Sequence, residues 1–140
     1  MILRKFFLIS IFLLSNIFAQ NASSREWTIF RKGLAEYQKG NYETARQSFS
    51  LMISKLPNSA ITTANKLMLA KTNYKSGDYE ISLRQCEEFK QFYPSSDYID
   101  DIKYLMGNNY YRQNRIETAV VTWLDAAFES RDDPLKRLGL

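Results

Sequence analysis

The sequence predicts an all-α solenoid of three helix-turn-helix units, and three observations carry that prediction. Gly40, Gly77 and Asn114 stand 37 residues apart, and so do Tyr37, Tyr74 and Tyr111. Around them the stretches GLAEYQKGNYETARQSF, AKTNYKSGDYEISLRQC and GNNYYRQNRIETAVVTW fall into one register. On both sides of each turn residue, apolar side chains recur at spacings of three and four, the period of an α-helix. A repeat of this length marks units that cannot close a core alone and stack on their neighbours.

The first unit begins where Ser23 or Ser24 can cap a helix running to about Lys39. Its apolar stripe is Trp27, Phe30, Leu34 and Tyr37. Gly40 takes the left-handed backbone that ends a helix, and Asn41 is placed to cap the next one. That second helix carries Tyr42, Ala45, Phe49, Met52 and Ile53 before Pro57 stops it. Gly77-Asp78 and Pro94 repeat the plan in the second unit. In the third, Asn114 stands at the turn as the residue most tolerant of a left-handed conformation after glycine. The units therefore run over about 25–57, 60–94 and 97–131, within a domain spanning 20–131.

The pattern Gly33, Tyr37, Gly40, Tyr42, Ala45, Phe49, Pro57 resembles the tetratricopeptide repeat, a right-handed superhelical solenoid. The second unit matches it with Ala70, Tyr74, Gly77, Tyr79, Ser82, Cys86 and Pro94, and the third with Gly107, Tyr110, Asn114, Ile116, Ala119 and Trp123. Lys32, Glu36, Asn73 and Arg131 depart from the family pattern at single positions. The period of 37 exceeds the family's usual 34. The link Tyr93-Pro94-Ser95-Ser96-Asp97-Tyr98 is similar to links in exported bacterial members of two groups. One is the Tol-Pal-associated cell-division coordinator; the other is the lipoprotein of the outer-membrane protein assembly machine. The resemblance implies cell-envelope work, and a missing lipidation cysteine after the leader weighs against the second group.

Residues 1–19 read as a secretory signal: Arg4 and Lys5, an apolar run from Phe6 to Leu14, then Ser15-Asn16-Ile17-Phe18-Ala19, which offers a small residue for cleavage after Ala19. The run falls short of the roughly 20 apolar residues of a membrane span. The expected address is the bacterial periplasm, with no membrane span in the mature chain. Removing Arg4 and Lys5 lowers the 19 basic residues to 17 against 15 acidic ones, too even a balance to indicate nucleic acid.

Catalysis finds no support in the residues. There is no histidine, the commonest general base and metal ligand, and no glycine-rich phosphate loop. Cys86, the only cysteine, occupies the register of Phe49 and Trp123 and reads as a small buried side chain. Glu87-Glu88, Asp100-Asp101 and Asp132-Asp133 are neighbours that point different ways on a helix, so they read as solvation and helix-start charge. No cofactor, metal or catalytic residue is expected.

First helices of tetratricopeptide repeats line the surface that takes ligands, so the resemblance places Tyr37, Leu67, Lys71, Tyr74, Lys75, Tyr104, Asn108, Tyr111 and Arg112 there. Tyrosine offers large area and a hydroxyl at low entropic cost, and a basic neighbour can hold a carboxylate. Packing between repeats is the competing role for the same tyrosines. Family members that clamp a C-terminal carboxylate use a basic and asparagine set, and Phe30, Leu34 and Met68 stand at those positions here. The expected partner is a peptide or helical segment of another envelope protein. The alternative is a structural or oligomerisation module, or part of a larger envelope protein. Its motive is Asp132-Asp133-Pro134-Leu135-Lys136-Arg137-Leu138-Gly139-Leu140, which reads as the start of a further helix.

Overall fold

A computed structural model describes residues 25–57, 59 and 61–129. The leader, the caps at Ser23 and Ser24, Arg131 and the 132–140 segment lie outside the described residues. Six helices follow one another: α1 over residues 25–38, α2 Tyr42–Lys55, α3 Thr62–Ser76, α4 Tyr79–Phe92, α5 Ile99–Arg112 and α6 Ile116–Glu129. Among the described residues there is no strand. From α2 onward each helix packs on the next, and α3 also touches α5. That pairing is what a helical repeat solenoid requires.

The three turns are built alike. Gly40 and Gly77 have φ of 82° and 89°, and Asn114 is the one described residue other than glycine with positive φ, at 61°. Each turn carries a 6→1 bond that satisfies a carbonyl near the end of the preceding helix. Asn41 N donates to Glu36 O at 2.9 Å, Asp78 N to Asn73 O at 2.9 Å, and Arg115 N to Tyr110 O at 2.9 Å. The expected side-chain cap at Asn41 is not formed. Its Nδ2 donates instead to Glu36 Oε2 at 2.7 Å, drawn by a carboxylate that Lys39 also binds. Asp78 makes no cap either; it receives Arg46 from α2 at 2.8 Å. In both cases a charged side chain, from the preceding helix for Asn41 and from α2 for Asp78, takes the place of a backbone N–H.

Two apolar clusters make the core. Phe30, Ala45, Phe49, Met52 and Leu69 join α1, α2 and α3. Leu67, Ala70, Leu83, Cys86, Phe89, Ile102 and Met106 join α3, α4 and α5. Small residues set the approach of paired helices. A Cβ at Gly33 would stand 2.6 Å from Phe49 Cε1, and one at Gly107 would stand 2.3 Å from Trp123 Cδ1. A polar tie runs through the second cluster: buried Asn109 Nδ2 donates to Ser82 Oγ at 2.9 Å, and Ser82 Oγ donates to Ala70 O at 2.9 Å. It links α5, α4 and α3 at fixed register, because leaving any member unpaired in the core costs about 1–3 kcal/mol.

Cys86 is fully buried, and that burial pushes its thiol up from an ordinary 9.0 to about 12, with only partial relief from a bond to Ser82. The neutral thiol is the stable folded form. Its contribution is complete below about pH 9 and is lost as pH rises through about 12. At pH 7.5 a thiol reagent is expected to label Cys86 only at the rate of unfolding, and urea to accelerate it. Labelling in the native state as fast as that of a free thiol would contradict this packing.

Candidate functional site

The nine candidate contact residues separate into three groups. Leu67 is 4% exposed inside the cluster shared by α3, α4 and α5, which corrects its expected place on a surface. A side chain covered by the following repeat presents nothing to a partner. Tyr37 and Tyr74 are half-buried against the two cores. Each packs on the tyrosine that opens the next helix: Tyr37 on Tyr42 at 5.7 Å between centroids, and Tyr74 on Tyr79 at 5.5 Å. Burial, then the neighbouring Tyr42, raises the Tyr37 hydroxyl above its ordinary value.

The basic residues are partly engaged within the chain. Lys71 Nζ lies 2.9 Å from Asp101 Oδ1, tying α3 to α5. Arg112 Nε donates to the Tyr79 hydroxyl at 3.0 Å, and its guanidinium sits 5.3 Å from that ring's centroid. The bond to Tyr79 holds Arg112 in its charged form. Lys75 is exposed beside them, and Asn108 is half-buried.

Tyr104 and Tyr111 form the third group. Both rings lie against Trp123 of α6, at 6.4 and 5.8 Å between centroids. The close approach at Gly107 lets the indole reach them: positions 104, 107 and 111 share the helix face that meets α6. In the earlier turns a tyrosine stands where Ile116 stands here, so Tyr111 has Trp123 as its ring neighbour instead. Tyr104 is 59% exposed and Tyr111 52%, whereas Leu67 and Phe30, one and two repeats before Tyr104, are 4% and 7% exposed. The difference has a simple cause. The groove between the two helices of a repeat receives the first helix of the next, and among the described residues nothing follows α6.

Trp123 was legible only as a packing residue of the repeat pattern. Its place between two exposed tyrosines depends on contacts across helices that periodicity does not carry. A separate cleft of about 210 Å³ lies between α2, α3 and α4, lined by Ile53, Lys66, Leu69, Gln85, Glu88 and Phe89. It is smaller than the roughly 300–1,000 Å³ of small-molecule sites. Among the described residues no helix is long and apolar enough to cross a membrane.

A family model described as YfiO, outer membrane lipoprotein, matches residues 22–134. The chain belongs to the YfiO family. Of the two groups that the Tyr93–Tyr98 link resembles, this is the assembly lipoprotein, against which the missing cysteine had weighed. A BamD-type outer membrane protein assembly factor of Aquifex aeolicus (strain VF5) is 30% identical over 79 residues, 55% of this chain and 26% of that protein. The outer membrane protein assembly factor BamD of Pasteurella multocida (strain Pm70) is 30% identical over 82 residues, 59% of this chain and 32% of that protein. The YfiO-family chain thus matches about a third or less of the length of either relative. Membership associates it with the bacterial envelope, and both relatives are named as assembly factors rather than enzymes.

Proposed function

We propose that the chain is a non-catalytic periplasmic adaptor in outer-membrane protein assembly. It binds a peptide or helix of another envelope protein through the surface around Tyr104 and Tyr111, with Lys71, Lys75, Asn108 and Arg112 on its flank. One observation carries this reading: Tyr104 and Tyr111 are exposed where the equivalent residues of the earlier repeats, Phe30 and Leu67 for the first and Tyr37 and Tyr74 for the second, are buried or half-buried. Large side chains exposed on a helix face lower their free energy by being covered, at roughly 25 cal/mol per Å² of apolar area removed from water. Tyrosine is among the residues that contribute most at such contacts. The family supports the assembly role.

A photo-crosslinking residue at position 111, with one at the exposed outer residue Arg84 as control, tests the reading in the native cell. Capture from position 111 alone of an envelope protein of the outer-membrane assembly pathway is the expected result. Equal capture from both positions, or from neither, would overturn it. The double variant Tyr104→Ala/Tyr111→Ala is expected to lose that capture while keeping its helicity, since both rings are half or more exposed.

A further inference from the structure

The two junctions between successive units are built from different chemistry. Where the second unit meets the third, Leu83 of α4 shares one buried cluster with Ile99, Ile102, Leu105 and Met106 of α5. The residues 37 positions earlier, where the first unit meets the second, are Arg46 on α2 and Thr62, Asn65, Met68 and Leu69 on α3. Arg46, Thr62 and Asn65 are thus polar where Leu83, Ile99 and Ile102 are apolar. Thr62 and Asn65 are buried and bond carbonyls of the first unit: Thr62 Oγ1 donates to Pro57 O at 3.1 Å, and Asn65 Nδ2 to Phe49 O at 2.8 Å. Arg46 donates to Asp78 Oδ2 at 2.8 Å and to Asn73 Oδ1 at a long 3.4 Å, and it also binds Glu43 on its own helix.

This difference sets the relative strength of the junctions. The stability of a repeat stack is close to a sum of unit and junction contributions, so the stack opens where a junction is weakest. Burial of Leu83, Ile99 and Ile102 gains from all the apolar area removed from water. A hydrogen bond at the same place exchanges a water partner for a protein one and gains less. The Arg46–Asp78 pair leaves its side chains 34% and 39% exposed, and ion pairs as wet as this contribute little. The second junction has such a pair too, Lys71 with Asp101, but in addition to its apolar cluster and not in place of it. The cleft of about 210 Å³ between α2, α3 and α4 borders the first junction, whose lining side chains Ile53, Leu69 and Phe89 forgo contacts there. Inside the first unit the packing is close, since Phe49 fills the space over Gly33 and meets Phe30.

We propose that the solenoid carries a joint at its first junction: α1 and α2 leave α3 together, as one body, while α3, α4 and α5 stay packed. The motion carries Tyr37 away from Tyr74. It leaves Lys71, Tyr74 and Tyr111 in one frame, because the second junction holds α3 and α5 through α4 and through the Lys71–Asp101 pair.

Hydrogen exchange of the full chain under native conditions, resolved by helix, tests the joint. Amides in the middle of α1 and of α2 are expected to exchange through one shared opening, about tenfold or more faster than those of α4 and α5 once intrinsic rates are divided out. Arg46→Ala is expected to speed α1 and α2 together by about threefold, as loss of a part-exposed ion pair does, and to leave α4 and α5 unchanged. Thr62→Ile, which gives the first junction the residue of the second, is expected to slow α1 and α2. Protection of α2 equal to that of α4 overturns the proposal. So does rapid exchange of α1 alone, which is the fraying of any end helix, or an Arg46→Ala effect that reaches α4 and α5 equally.

Discussion

Replacing Phe49 by alanine is expected to remove about 3–5 kcal/mol from the unfolding free energy. The ring is fully buried, packs on Phe30 at 5.8 Å between centroids, and fills the space that Gly33 leaves open on α1. It is the side chain through which α1 and α2 form one layer, and the α2 backbone beneath it accepts Asn65 Nδ2 from α3 at 2.8 Å. Deleting the ring therefore opens a cavity at the junction of three helices. Domains of this size hold about 5–15 kcal/mol in total, so the loss is a large share. Denaturant unfolding followed by circular dichroism measures it. A loss below about 1 kcal/mol would mean that the first repeat is not packed as described.

Placing alanine at Gly107 is expected to disturb the candidate site more than the fold. Taken alone, glycine to alanine within a helix favours the helix by about 1 kcal/mol. Here the added Cβ would meet Trp123 Cδ1 and Nε1 at 2.3 Å, so the indole must leave its place. It is half-buried and lies between two exposed tyrosines, so it has room to move outward. Overpacking of this kind costs about 1–3 kcal/mol, which the helix gain offsets in part. The net change in stability is thus small, while Tyr104 and Tyr111 lose their common support. Tryptophan fluorescence should report a more solvated indole, and partner capture should fall as in the double tyrosine variant. Unchanged fluorescence with full capture would show that the Trp123 contact does not organise this surface.

Turns, helices and unit length were legible in the residues because each rests on local physics. A left-handed backbone selects Gly40, Gly77 and Asn114, and a spacing of three and four selects one helix face. The pattern residues Gly33, Ala45, Phe49, Ser82 and Ala119 could be read for the same reason, since each needs only its own repeat to explain it. Asn41 was misjudged as a cap because its side chain has two acceptable local partners, and Glu36 wins only once the turn has closed.

The candidate surface was half legible. Periodicity placed Tyr104, Tyr111 and Leu67 on equivalent faces, and their chemistry marks them all as able to pack or to bind. Which role each takes depends on whether another helix lies on that face. α5 covers Leu67, and among the described residues nothing covers Tyr104. The sequence alone determined that these residues share a register, because register is a property of the chain's own period. Only the tertiary structure decided which of them meet water, because burial belongs to neighbouring repeats and to no residue by itself.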